Sequence, residues 1–523
     1  MAFQVTHKPQ SFPSLTLEKQ GTLLSALRSV ATLDLRSLAL MRIGIAVVLI
    51  IDLFVRATDL RAHYTDQGIL PLEALFRMAW NPYYFSIFTM SSSVPIQAML
   101  FLVNLCCVLC LLVGYRTRLF TAICWFFLLS LHNRNPLITQ AGDDLLRMIL
   151  FWGFFLPWGY RYSADAVRKG YPLPDSNAYV SFAGFAYILQ VFYVYFFSAI
   201  LKSSGEWTSE FTALYYALSF EHIVTPFGQW LHQFEGFLRT ITMMTFYIEL
   251  VLPFLLLMPI FNRYFRTIFV VMIFCFQMGI NLCLYVGLFP WISTVAMLGL
   301  LVPLTNPEWQ PVKRWVSFIT PLRERVQTYV TRYVALPPDT KLIYIPKEGL
   351  LTAVVILLFS LYTFTWNLQT IGRAPALFTP FTWIGHLLRV DQHWGMFAPS
   401  VFKDDGWFIL EGITVNGKEI DIARNGEAVT YEKPTVVAEF FKNDRWRKYH
   451  ENILFVQFSQ YRPYYCDYQL NHWNEAQSPA NKINQLRVIY MKQPNLPNYQ
   501  EPEPTKEILY DCKLNNPLPP TIK

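Results

Sequence analysis

Long apolar runs broken by short polar connections dominate the first 370 residues. A helix needs roughly 17 to 25 mostly apolar residues to cross a hydrocarbon core about 30 Å thick, and nine segments approach that pattern. They are 39–55, 94–114, 118–133, 144–160, 179–201, 240–260, 267–288, 290–304 and 349–367. The third and the eighth are short, as tilted or partly re-entrant segments are. Lys and Arg concentrate in alternate connections: with the N-terminus inside, eighteen fall in inner segments and no more than a third as many in outer ones. That bias predicts an odd number of crossings, with the N-terminus cytoplasmic and the C-terminal part outside.

Past residue 368 the period changes. Trp407 to Val415 alternates and then meets Asn416-Gly417, which predicts a strand entering a hairpin; Asn425-Gly426 signals a second turn. Asn484 to Met491 reads as another strand, Trp446 to Gln457 as a helix, and the last twenty or so residues as an extended tail. The predicted fold is an all-α polytopic membrane bundle of about nine transmembrane helices with a small C-terminal α+β extramembrane domain. Its parts are a cytoplasmic leader (1–38), a transmembrane domain (39–305), a basic cytoplasmic loop (306–348), a last transmembrane helix (349–367), an interfacial linker (368–389) and an external domain (390–523).

Composition agrees. The chain is 53% hydrophobic and 17% aromatic but only 15% charged, short of the roughly 25% that a soluble protein carries. This excludes an ordinary soluble enzyme, and the aromatic content excludes disorder. The net charge of +7 is accounted for by loop charge beside a membrane, so no nucleic-acid partner is expected. Six of the eight cysteines lie in apolar runs. Cys466 and Cys512 lie outside them and can pair if their compartment is oxidising. The N-terminal stretch lacks the features of a secretory signal.

Ionisable residues in or at the ends of apolar segments are the candidates for chemistry, because placing them there is expensive. His132, Asp143, Asp144, Arg147 and Lys202 all fall at outer ends of predicted spans, and Asp52 and Arg56 close the first one. Glu249 lies near mid-depth of the sixth. Plainer readings exist for most: Lys202 as a snorkelling anchor, Asp143 and Asp144 as helix caps, Asp144 with Arg147 as an i,i+3 pair. Glu249 has no such alternative and demands a partner. No metalloprotease, P-loop or dinucleotide fingerprint is present, and His386 and His393 read as interfacial anchors, so no metal is expected. Arg445, Trp446, Arg447 and Lys448 read as a solvated helix face, with phosphate headgroups as the alternative contact.

Several motifs resemble a known family. DLRSLALMRIGIAV opens the first span, YTDQGILP occupies 64–71, VGYRTRL follows the second span, and LHNRNPLITQAGDDLLRMILFWGFFLPWG then precedes Lys202, five residues before Trp207. With Gly287-Leu288-Phe289, they resemble the bacterial membrane proteins with an HTTM domain, related to vitamin K-dependent γ-glutamyl carboxylase, over about 34–305. Asp391 to Pro399 resembles the start of the external domain in a bacterial subgroup.

The resemblance implies a multi-pass lyase-type membrane enzyme in the bacterial inner membrane, its outer domain facing the periplasm. It would take a lipid-soluble quinol, either reduced vitamin K or menaquinol, with O2 and CO2. In the carboxylase a lysine deprotonates the hydroquinone, and the oxygenated product removes a proton from a peptide glutamate that then captures CO2. Lys202 matches that lysine by its spacing to Trp207, and Glu249 falls where the carboxylase has an acid. The implied catalytic set is Lys202, Glu249, Asp144, Asp143 and His132; Trp207, Arg147 and Gln277 would contact the quinone, and a secreted protein or peptide would be the acceptor. Gln277 stands where the carboxylase has a histidine, Asp143 or Asp144 near the position of its assisting histidine, and the outer domain is small. The alternative is a non-enzymatic membrane protein that binds lipid, quinone or a protein partner.

Overall fold

The computed structural model describes residues 30–169, 177–259, 261–301 and 349–514. Most of the expected leader and the whole of the expected basic loop lie outside them. In chain order the long helices are α1 (Leu35–Ala57), α2 (Val94–Val113), α3 (Thr117–Arg134), α4 (Ala141–Phe155), α5 (Phe182–Leu201), α6 (Glu235–Val251, continued by a 3-10 turn through Leu257), α7 (Asn262–Cys283), α8 (Phe289–Met297) and α9 (Leu350–Thr370). Six of these segments, α1, α2, α5, α6, α7 and α9, are long and apolar enough to cross a membrane. The other three expected spans are also helical but do not meet that standard. The last turn of α3 carries His132, Asn133 and Arg134, α4 has 15 residues and α8 has 9.

Local chemistry sets the helix boundaries. Asp34 caps α1 by accepting from the Arg36 amide at 2.8 Å. Gly114, at φ +70°, takes the left-handed turn that ends α2. At the start of α4, Asp143 accepts from the Gln140 amide at 2.9 Å, one half of a reciprocal capping box. At the end of the bundle away from the C-terminal domain, the buried Arg42 donates to the carbonyls of Trp158 (3.2 Å) and Tyr162 (2.5 Å), and Arg266 to that of Thr32 (2.5 Å).

The C-terminal part contains a four-stranded antiparallel sheet in the order β4-β3-β5-β6: β3 (Gly406–Thr414), β4 (Glu419–Asp421), β5 (Ile483–Lys492) and β6 (Thr505–Lys513). A short ribbon of β1 (Thr32–Asp34) and β2 (Ala178–Val180) lies beside the start of the bundle. The expected β3 hairpin and β5 strand are present, as is the turn at Asn425-Gly426, where both residues have positive φ. The expected helix around Trp446 is α10 (Asp444–Leu454), and α11 (Arg462–Ala476) follows it. The extended tail is overturned in part, since residues 505–513 pair with β5 as an edge strand. Cys512 on that strand forms a disulfide with Cys466 on α11.

The domain is docked onto the bundle. The segment Asp391–Pro399 inserts at the bundle end, with Trp394 fully buried and Gln392 accepting from Gln190 of α5 (2.7 Å) and from Trp394 (3.0 Å). Gly287 has φ +63°, and a Cβ there would sit 2.4 Å from Asp444 Oδ2; the α7–α8 turn therefore meets α10 closely enough to need a glycine.

Candidate active site

Two separate groups of buried charges occupy the bundle end under the C-terminal domain. In the first, Lys202 follows α5 directly and is buried; its ammonium donates to Glu249 Oε2 from α6 and, at 2.7 Å, to Ser198 Oγ one turn earlier. Trp207 closes over it with the ring centroid 5.0 Å from Nζ, and the indole is held by a 2.9 Å hydrogen bond to the Phe397 carbonyl of the inserted segment. The snorkelling reading of Lys202 is overturned, because the ammonium points inward to a carboxylate. Gln277 of α7 lies nearby, fully buried; its Nε2 donates to Tyr195 Oη at 3.3 Å, while its Oε1 has no partner among the described residues.

A cavity of about 1460 Å³ opens beside this pair. Asp144, Lys202, Trp207, Glu249 and Gln277 all line it, which brings five of the eight expected site residues to one space. Apolar side chains line one flank, among them Trp230, Phe234, Phe237, Met244 and Met272; several of these are exposed, so the cavity reaches the surface between two membrane-length helices, α6 and α7. Toward the C-terminal domain its lining turns polar, with His222, Asp404, Arg447, Lys448, Glu451 and Lys492. The space is therefore amphipathic along its length, the usual character of a site for a ligand with an apolar body and a reactive polar end.

Asp143 belongs to the second group. Arg56 donates to Asp52 (2.7 Å), Asp143 (2.9 Å) and Tyr64 (2.9 Å), and Arg445 of α10 donates to Asp52 (2.6 Å), Asp143 (2.8 Å) and the Ile138 carbonyl (2.9 Å). Two guanidinium and two carboxylate groups thus compensate one another at 5% exposure or less. His132 Nε2 is 3.4 Å from Asp143, on the far side of this cluster. Neither Asp143 nor His132 lines the cavity, so the structure does not bring them to Lys202. Arg147 is also absent from the lining; it pairs with Asp144 at 3.0 Å, as the i,i+3 spacing predicts, and donates to the Asp391 carbonyl at 2.6 Å.

The solvated-face reading of α10 is likewise corrected. Arg445 and Arg447 are buried, the latter bonded to Asp444 and Glu451. Burial would raise the Glu451 carboxyl, but Arg447 and then Lys448 outweigh it and bring it down to about 2. Burial pushes the His450 imidazole down to about 4 against the hydrogen bond to the Trp446 carbonyl.

Sequence reasoning missed Ser198, Tyr195, His222 and Asp405. Ser198 lies four residues before Lys202, one helical turn, which was a usable signal; Asp405 is nearly two hundred residues from its partner and gave none. Among the described residues no group of His, Cys, Asp and Glu has the arrangement of a metal site. No protein-family model, curated protein or solved structure matches the chain.

Proposed function

We propose that this chain is a multi-pass membrane enzyme of the vitamin K-dependent carboxylase-like kind. In this reading it has nine crossings, its C-terminal domain lies outside, and Lys202 is the base for a lipid-soluble quinol. The observation that carries the reading is the buried Lys202–Glu249 pair opening on a cavity that is apolar toward α6 and α7 and polar toward the C-terminal domain.

The residues suit such a ligand. The unpartnered Gln277 Oε1 is an acceptor for a quinol hydroxyl, and the flank around Trp230 and Phe237 can take an isoprenoid tail arriving from lipid. The bound quinol, with O2, would supply the oxidative driving force. Lys202 is a base only as the neutral amine: its proton passes to Glu249 Oε2, the freed Nζ takes one from the quinol, and Glu249 keeps Nζ beside the cavity throughout. Ser198 fixes the ammonium rotamer, and Trp207 excludes water from its other side. A peptide or other polar acceptor would come in at the end lined by Arg447 and Lys448. Asp144 lines the same space and is placed to orient a reactant; Asp143 and His132 are left to structural work.

The test is purified protein in nanodiscs with menaquinol or vitamin K hydroquinone, O2, bicarbonate and a glutamate-containing peptide mixture. Quinone epoxide is read by mass spectrometry. Epoxide from the wild type and none from Lys202→Ala is the expected result. Its absence with every quinol, from folded protein, would move the assignment to a non-enzymatic lipid- or quinone-binding protein.

A further inference from the structure

The cavity has a second buried ionisable pair at its polar end. His222 lies between the short helices Ala213–Ser219 and Pro226–His232 and is 6% exposed. Its Nδ1 is 2.8 Å from Asp405 Oδ1. Asp405 is itself fixed, accepting from the backbone amides of Glu221 (2.8 Å) and Gly406 (2.8 Å) and from the Asn495 amide (3.4 Å). The start of β3 places it there: Gly406 has φ +155°, and a Cβ would lie 2.0 Å from the Met491 carbonyl oxygen.

In the neutral ring, a carboxylate acceptor at Nδ1 makes that nitrogen the donor and leaves the lone pair on Nε2, the arrangement that orients a histidine as a base. Phe220 and Phe441 hold the ring edge-on, at 5.0 and 6.2 Å between centroids. Nε2 makes no hydrogen bond among the described residues; Glu451 Oε1, already bonded to Arg447, lies 4.0 Å away. Glu221, the preceding residue, is occupied by Lys433 at 2.7 Å. A ring with one nitrogen anchored and the other facing the cavity is the geometry of a proton-transfer group.

We infer that His222, oriented by Asp405, is a second proton-accepting group of this cavity. It acts on a polar, hydrogen-bonding acceptor that arrives from the C-terminal domain, while Lys202 serves the lipid-soluble reactant. The inference rests on the carboxylase-like reading for the identity of the reaction, though not for the existence of the proton site. In the step assigned to it, an O–H or N–H bond of the acceptor or of its bound water breaks heterolytically. The electron pair stays on that atom, and the proton goes to the Nε2 lone pair and leaves to water at the polar mouth.

Two measurements on the full chain in nanodiscs separate the claims. The first needs no turnover: diethyl pyrocarbonate labelling between pH 5 and 8, with peptide mass spectrometry. His222 should be labelled through Nε2, and Asp405→Asn, measured well below its own melting temperature, should change that rate several-fold. His450, both of whose ring nitrogens are engaged, should stay unlabelled. An unreactive His222, or a rate indifferent to Asp405→Asn, overturns the inference. The second is the pH profile of modification of the acceptor peptide: His222→Gln should lower its kcat and change the shape of the profile while leaving KM for quinol unchanged. A wild-type profile in both His222→Gln and Asp405→Asn also overturns it. If the wild type makes no epoxide, the carboxylase-like reading fails by itself, and the labelling alone decides whether His222 is a proton site.

Discussion

The two buried ionic groups under the C-terminal domain have the same ingredients and opposite surroundings. In the Asp52–Arg56–Asp143–Arg445 cluster four charges cancel, most donors and acceptors are used, and neither carboxylate lines the large cavity. At Lys202–Glu249 only two charges cancel, one carboxylate oxygen has no hydrogen bond among the described residues, and a large cavity lies alongside. A closed, saturated network can only hold elements together; here it ties α1, α4 and α10 and so clamps the domain to the bundle. An open, under-saturated pair can exchange protons with a ligand. Surroundings, more than residue type, separate structure from chemistry.

The sharpest way to break that comparison is to remove one cation from each group and compare stability. Arg445→Met leaves Asp52 and Asp143 sharing Arg56 alone, both buried, and thermal unfolding in detergent should show a loss of about 3 to 5 kcal/mol. Acid comes next. His450 sits near 4 in the fold against an ordinary 6.5, so the unfolded chain binds the proton first, and stability falls as pH drops from 6.5 to 4. Glu451 sits near 2 against an ordinary 4.5, so its contribution is present above 4.5 and lost as pH falls from 4.5 to 2. Each adds at most about 1.4 kcal/mol per pH unit inside its window. The emission of Trp446, its ring centroid 5.8 Å from that of His450, reports the transition, and His450→Phe should flatten the upper window.

Lys202→Met should lose only about 1 to 2 kcal/mol, because the cavity can bring water to Glu249. The double variant Lys202→Met/Glu249→Leu should recover most of it, since replacing both partners by apolar groups of similar size is close to neutral. A loss at Lys202 equal to that at Arg445 would collapse the distinction. Smallest of all, Arg61→Ala breaks a pair with Glu475 in which both side chains are more than a third exposed, and melting should shift by about 0 to 1 kcal/mol.

How far the sequence reached depended on whether the signal was local. The apolar runs marked helices α1 to α9, because a run long enough to fill a bilayer is a property of neighbouring residues. What distinguished α3, α4 and α8 from the six membrane-length segments was length and polar ends, visible in the chain but outweighed by the alternation of loop charge. The i,i+3 pair of Asp144 and Arg147 and the turns at Asn416-Gly417 and Asn425-Gly426 were legible for the same reason. Residues 505–513, by contrast, looked like a tail because an edge strand takes its order from its neighbour β5.

By itself, the sequence determined a chain whose surface is too poor in charge for water, a helical bundle followed by a strand-containing domain, and a short roster of residues too costly to bury without purpose. Only the tertiary structure decided how that roster divides. Adjacent Asp143 and Asp144 point to different places because successive helix positions differ by about 100°. One is closed off by Arg445, three hundred residues downstream, and the other lines the cavity with Lys202 and Glu249. Which partner reaches a buried charge, and whether space remains beside it, is set by how distant elements pack.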